Sequence, residues 1–337
     1  MKDKILENEK VFRSIQDVTY YFEEGEVKDH LIIVFSAVNP PGTFAYNYIS
    51  TLENLNCHKL FILDNYGEQG AYYLGHKKDF SIETSVMSLI MSIIAKYQVK
   101  LNNVITVGSS KGGYAALYYA LKYGFGHAIA GGPQVKLGDF LYDQGKNFEI
   151  AKYIAGDLNQ ENHEYLNSLL MSIIPDKEYA LTDIYLHVGN GDHHYPNHIM
   201  PFIEYLDSLK YEKYQLDIQE YESHDGLRQF FPPYLCEKLG EITGIPSYEI
   251  NPIKRINLGV VNNTFTVECV TTNTPNQNYQ YAYYIYKDNK VYEKIFYSKA
   301  NKLNYSLDKS GLYKCKVFVK DQHGRKYIQM SEPVNIK

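Results

Sequence analysis

The run Gly108-Ser109-Ser110-Lys111-Gly112-Gly113 follows the apolar stretch Val104-Ile105-Thr106-Val107 and precedes a segment of helical character. It spells G-x-S-x-G between a strand and a helix. A strand-to-helix turn tight enough to hold a serine hydroxyl above a sheet tolerates only small residues two before and two after the serine. The spacing therefore predicts Ser110 as a nucleophile, with the helix N-terminus lending N–H groups and a positive dipole end. Ser109 is excluded because Val107 stands where the first glycine is needed. The competing reading is a glycine-rich turn without catalysis or a phosphate loop, but the Walker pattern G-x-x-x-x-G-K-[ST] is absent.

A serine nucleophile needs a base and an acid to orient that base, and in open parallel sheets such groups follow later strands at their carboxyl ends. Gly189-Asn190-Gly191-Asp192 follows an apolar run at 184–188, and Ser223-His224-Asp225-Gly226 follows a strand at 214–221. Asp192 is the expected acid and His224 the expected base. Asp183 competes but precedes its strand, at the wrong end of the sheet. His194 and His198 stand at i, i+4, a zinc spacing. Pro196 and a loop position spoil the helical face that spacing serves, so no metal is expected, and His193 is placed facing substrate. Donors for the tetrahedral oxyanion are expected from the N–H of Lys111 and of Ser36 or Ala37. The Lys111 side chain opposes the helix dipole, and reads as solvated or as reaching an anionic acyl donor or acceptor.

The elements that must position these groups are legible as alternating strands and helices. Short apolar runs lie at 31–35, 59–63, 104–107, 127–130, 184–188 and 214–218, and the helix at 81–97 carries Val86, Leu89, Ile90, Ile93 and Ile94 on one face. A second helix is expected at 112–123. This order predicts an α/β fold of α/β-hydrolase type, a mostly parallel sheet flanked by helices. Residues 18–22 read as an antiparallel edge strand. The stretch 133–182, helical at 147–155 and 163–174, reads as a lid inserted over the site. After Ile245-Pro246 the pattern turns to alternation at 265–269, 281–286, 291–297 and 313–319, with a hairpin turn at Asp288-Asn289. The expected division is a catalytic domain over 1–249 and an immunoglobulin-like β-sandwich over 250–337.

Composition narrows the function classes. The 337 residues are 45% hydrophobic and 22% charged, enough for a sizeable core. A net charge of -5 without a long basic run argues against nucleic-acid binding. No signal-peptide core and no run of ~18 apolar residues is present, so no transmembrane segment and a cytoplasmic location are expected. The four cysteines, Cys57, Cys236, Cys269 and Cys315, lack metal spacing and read as reduced thiols, with a Cys269–Cys315 disulfide as the alternative. The 34 tyrosines suit sugar surfaces, although codon bias toward Tyr, Asn, Lys and Ile is the simpler account.

The elbow Gly108-Ser109-Ser110-Lys111-Gly112-Gly113, the strand end Phe35-Ser36 and Leu60-Phe61-Ile62-Leu63-Asp64-Asn65-Tyr66-Gly67 with Gly70-Ala71-Tyr72-Tyr73-Leu74-Gly75 together resemble bacterial surface-glycan O-acetyltransferases of α/β-hydrolase fold. That group includes accessory-Sec glycoprotein acetyltransferases and some capsule-biosynthesis proteins. The resemblance covers about residues 29–240, and the C-terminal part resembles small "three-Y" modules. It implies a Ser-Asp-His enzyme acting on sugar hydroxyls of a glycan or glycoprotein, with glycan-biosynthesis enzymes as possible partners. On this reading acetyl-CoA is the acyl donor, no cofactor is bound, and Asp64, Tyr66, Tyr72 and His193 contact substrate. An esterase or deacetylase with the same triad and a non-catalytic glycan-binding or assembly protein are the competing readings.

Overall fold

The structure is a computed structural model that describes residues 7–174, 180–261, 264–272, 278–307 and 309–336. Its contacts divide the chain into two compact units: Asn56–His224 with the stretch ending at Asn47, and Tyr48–Leu55 with the chain from Asp225 onward.

The first unit is built on eight strands, β1 (Lys10–Phe12), β2 (Val18–Glu23), β3 (Val27–Phe35), β4 (Cys57–Ile62), β5 (Val104–Ser109), β6 (His127–Gly131), β7 (Asp183–Gly189) and β8 (Tyr214–Gln219), in the order β1-β2-β4-β3-β5-β6-β7-β8. From β4 to β8 every neighbouring pair is parallel, whereas β1 and β2 add an antiparallel edge. β4 and β5 are buried along their whole length, as strands covered on both faces must be. Helix α1 (Ser81–Tyr97) turns Val86, Leu89, Ile90, Ile93 and Ile94 inward, the face its period predicts. Helix α2 (Lys111–Tyr123) is buried from Lys111 to Leu121.

Between β6 and β7 the chain forms a short helical run over Leu137–Asp139 and Phe140–Gln144, then α3 (Phe148–Ala155) and α4 (Gln160–Met171). α4 begins three residues before its expected start because the Asn159 side chain accepts from Asn162 N and caps it. Ile150, Ile154, Leu166 and Leu170 belong to the same apolar cluster as the sheet. The inserted helices are thus rooted in the main core. Part of the expected lid, residues 175–179, lies outside the described residues. Where the sequence suggests a loop after Asp192, the chain is helical over Tyr195–Ile199 and α5 (Met200–Ser208). Pro196 and Pro201 each stand in a first turn, where the missing N–H would have no intrahelical acceptor.

The second unit holds α6 (Leu227–Thr243) and two antiparallel sheets. One has the order β13-β10-β9, from β9 (Ile253–Val261), β10 (Thr264–Thr271) and β13 (Lys302–Ser306). The other runs β12-β11-β14-β15, from β11 (Gln280–Lys287), β12 (Lys290–Ser298), β14 (Gly311–Lys320) and β15 (Lys326–Met330), with β16 (Val334–Ile336) on β14. Alternate residues Phe265, Val267 and Cys269 meet Tyr283, Ile285, Cys315 and Val317 in its core. Asp288 and Asn289 have φ of 48° and 65°, the left-handed pair of a two-residue hairpin turn. Cys269 and Cys315 are free, and burial pushes both thiols up. α6 packs on β9 and β15 and groups with the sandwich, so the contact division falls at 224/225 rather than at the 249/250 division drawn from composition.

Candidate active site

β5 delivers the chain into the elbow and α2 carries it away. Ser110 has φ 54° and ψ −121°, a backbone that a side chain adopts only under strain. A Cβ on Gly108 would lie 2.2 Å from the Gly112 backbone, and one on Gly112 would lie 2.4 Å from Phe35 O. Both glycines are therefore obligatory. The turn is held to the next strand by Ser110 N donating to Gly131 O at 2.8 Å.

Lys111 is neither solvated nor directed at a ligand. It is 1% exposed, and its Nζ meets Asp64 Oδ2 at 2.7 Å. Asp64 Oδ1 accepts from Ala71 N, so both carboxylate oxygens are committed. Gly70, at φ 91°, makes room: a Cβ there would fall 2.4 Å from Lys111 Nζ. The pair ties the loop after β4 to the first residue of α2. Tyr66, also expected to meet substrate, donates instead to Asp17 O.

At the far side of the site, the end of β7 places Asp192 and the end of β8 places His224. Asp192 is 1% exposed; its Oδ2 accepts from His224 Nδ1 at 2.8 Å and its Oδ1 from His194 N at 2.9 Å. Burial pushes the carboxyl up, but the hydrogen bond and charge of His224 and the His194 N–H outweigh it and hold Asp192 below the usual carboxylate range. With Nδ1–H given to a carboxylate, the His224 lone pair is on Nε2. Among the described residues that buried nitrogen has no hydrogen-bond partner.

His194 packs its ring 3.9 Å from that of His224 and sets its Nδ1 on Gly132 O at 2.8 Å. Burial and the neighbouring His224 charge hold it neutral. His198, one turn on, accepts from Lys136 N at Nδ1 and meets Gln144 Oε1 through Nε2, which fixes the Nε2–H form. Neither of its nitrogens offers a lone pair to a metal. His193 is the exposed member of the group, its side chain 54% accessible and its ring 5.9 Å from His224.

The His198 environment sets a pH dependence. Burial lowers its pKa from 6.5 to about 4. Between those values the unfolded chain takes up a proton that the folded one refuses, so stability falls as pH falls, by about 1.4 kcal/mol per unit. Urea unfolding at pH 7 and pH 5 should show wild type losing about 2 kcal/mol more than His198→Gln. An identical loss in both would show that His198 titrates freely in the folded protein.

Ser36 and Ala37, expected to supply an oxyanion donor, have their N–H groups in use. Ser36 N donates to Tyr73 Oη at 2.7 Å and Ala37 N to Asn47 Oδ1 at 2.8 Å. What stands at the Ser110 hydroxyl is a residue that the sequence reading missed. Gln134 Nε2 donates to Ser110 Oγ at 2.8 Å, and Gln134 Oε1 accepts from Tyr72 Oη at 2.6 Å. The only signal for it in the sequence is its place just past Gly131-Gly132-Pro133, at the carboxyl end of the strand beside the elbow strand. The same segment supplies the Gly131 and Gly132 carbonyls that hold Ser110 and His194, which draws the two sides of the site together.

Residues 7–215 match the family described as accessory Sec system GspB-transporter. The chain belongs to this family. For this family member the matched span includes Ser110, Gln134 and Asp192 and stops short of His224. An accessory Sec system protein of Staphylococcus aureus (strain NCTC 8325 / PS 47) is 25% identical over 175 residues, covering 50% of the chain and 33% of that protein. The chain thus spans about a third of that relative's length. Among solved structures, the capsule O-acetyltransferase of Neisseria meningitidis serogroup A superposes with a TM-score of 0.56 at 24% identity, over 69% of this chain and 93% of that one. A mutant of that enzyme has been solved with CoA, matching at a TM-score of 0.55 and 22% identity over 72% of this chain and 95% of that one. A glycosylation-associated protein (Gap123) complex from Streptococcus agalactiae gives 0.57 at 19% identity, over 70% and 45%. These likenesses show a shared fold, consistent with the mixed, mostly parallel sheet flanked by helices described above.

Proposed function

We propose that this chain is a serine O-acyltransferase that moves an acetyl group from acetyl-CoA to a hydroxyl of a bacterial polysaccharide or glycoprotein glycan. The observation that carries the reading is the unpartnered Nε2 of His224, whose Nδ1–H is fixed on Asp192, at the carboxyl edge of the sheet that holds Ser110 on its elbow. Ser110 Oγ accepts a bond from Gln134, so its own proton is left for a base. His224 Nε2 takes that proton as Oγ attacks the thioester carbonyl, and returns it to the departing CoA sulfur. The acetyl group then rests on Ser110. A sugar hydroxyl gives its proton to Nε2 and attacks the acyl carbon; the bond from that carbon to Ser110 Oγ then breaks, Nε2 returns the proton to Oγ, and the acetylated sugar leaves. Asp192 keeps the imidazole in the right tautomer and stabilises the imidazolium in both halves.

The likeness of the fold to a capsule O-acetyltransferase solved with CoA supports donor and reaction class, and the likeness to a glycosylation-associated protein complex supports a glycan-bearing acceptor and glycan-related partners. We place His193 toward the acceptor and assign the sandwich as a glycan or partner platform. A cytoplasmic site of action follows from the donor; among the described residues no helix is long and apolar enough to cross a membrane.

Transfer should beat hydrolysis. Water stands at about 55 M, while an oriented hydroxyl reaches effective molarities of about 10⁵ M or more. Incubation with acetyl-CoA or an aryl acetate and candidate oligosaccharides is expected to give acetylated sugar with ping-pong kinetics. Acetate release that no acceptor alters, without acetylated sugar, would hand the reading to an esterase. No turnover of either kind would favour a binding protein.

A further inference from the structure

We infer that the side-chain amide of Gln134 is an oxyanion donor of this site, held in place by Tyr72. The inference rests on the triad proposed above. It starts from a deficit: acyl transfer through a tetrahedral intermediate needs donors aimed at the developing oxyanion, and the two backbone donors expected in the loop after β3 are spent. Ser36 N is bound to Tyr73 Oη and Ala37 N to Asn47 Oδ1. Lys111 N–H remains, since the first residue of a helix has no intrahelical acceptor. One donor is an incomplete hole.

Gln134 makes up the second. Its Nε2 lies 2.8 Å from Ser110 Oγ. In the tetrahedral intermediate the oxyanion is bonded to the same carbon as Oγ, so a donor resting on Oγ in the free protein can reach the oxyanion without a change in backbone. The amide is also pre-oriented. Gln134 is 1% exposed, and its Oε1 accepts from the phenol of Tyr72, which is fully buried and packs edge-on against Tyr114. An N–H donor fixed in a water-poor site contributes far more to a forming anion than it would in water. Its backbone is set by the same β6 exit that receives the Ser110 N–H on Gly131 O.

The test uses the full chain and an aryl acetate. Gln134→Glu keeps the size and the bond from Tyr72 but offers no N–H, and Gln134→Ala removes the side chain. Each is expected to lower kcat by about 10²–10³-fold with KM within about threefold of wild type. Tyr72→Phe, which frees the amide to turn, should lower kcat by a smaller factor. A purely structural role is separated by the matching thionoester, whose developing charge falls on sulfur, a poorer acceptor. Wild type should discriminate strongly against the thionoester, and both Gln134 variants should lose that discrimination. Equal losses on ester and thionoester, or kcat unchanged or raised because Gln134 only restrains Oγ, would overturn the inference. Should Ser110→Ala retain turnover, the triad itself fails and this inference with it; an inactive Ser110→Ala beside a fully active Gln134→Ala refutes the Gln134 role alone.

Discussion

Ser110→Ala is expected to lower acyl transfer by about 10⁴-fold or more while the chain still folds. The substitution removes one oxygen from a partly buried turn and leaves the backbone at φ 54° and ψ −121°. Its structural cost is the acceptor of the Gln134 amide, about 1 kcal/mol for one neutral hydrogen bond. Ser110→Gly gives an internal control. Glycine adopts positive φ without a Cβ clash, so the glycine variant should be as inactive as alanine yet more stable than it by about 1 kcal/mol or more. Acetyl transfer and thermal unfolding of the two variants separate the chemistry from the strain. Turnover in Ser110→Ala close to wild type would sink the acyl-enzyme.

The elbow was legible because its requirements are local. The glycines of G-x-S-x-G answer to atoms three or four residues away or on the neighbouring strand, and the closeness of Gly108 to the Gly112 backbone is the reason the pattern exists. The parallel sheet was legible because its strands read as continuous apolar runs. Other features depend on side chains that meet across long stretches of sequence. Nothing periodic in the sequence announces that Lys111 will bury its charge on Asp64, 47 positions earlier, or that Tyr73 and Asn47 will claim the N–H groups of Ser36 and Ala37. α5 was hidden behind Pro196, which reads as a breaker unless the start of the helix is known. The place of α6 is decided by packing on β9 and β15, which composition does not encode.

Tyrosine illustrates the same limit. Its abundance suggests a sugar-binding surface, yet Tyr72, Tyr73, Tyr114, Tyr118 and Tyr119 are fully buried. They act as large core residues, and several hydroxyls find acceptors inside: Tyr73 on Ile62 O, Tyr119 on Tyr73 O, Tyr118 on Glu83. Burial pushes all five phenols far above their ordinary range, so they stay protonated donors. Around the elbow these bonds tie Tyr73 to Ser36 and Tyr72 to Gln134.

Asp192→Asn should cost about 10⁴-fold in kcat near pH 7, through the proton on His224 rather than through the fold. Asp192 serves two donors at once, His194 N at Oδ1 and His224 Nδ1 at Oδ2. A carboxylate accepts both. An amide accepts at only one of its two terminal atoms, and the backbone N–H of His194 cannot exchange its role. The asparagine oxygen must therefore face His194 N, and its NH₂ must face His224 Nδ1. That ring nitrogen then becomes the acceptor, and the proton moves to Nε2, where it blocks the lone pair that should receive the Ser110 proton. The imidazolium also loses its counter-charge. Asp183 provides the contrast: it is 42% exposed at the start of β7, with His127 3.7 Å away as its neighbour. Asp183→Asn should keep kcat within about twofold, as surface changes away from the chemistry do. Kinetics of both variants on one donor and acceptor decide the matter: a large loss in Asp183→Asn with a mild one in Asp192→Asn would move the acid to the other end of the strand.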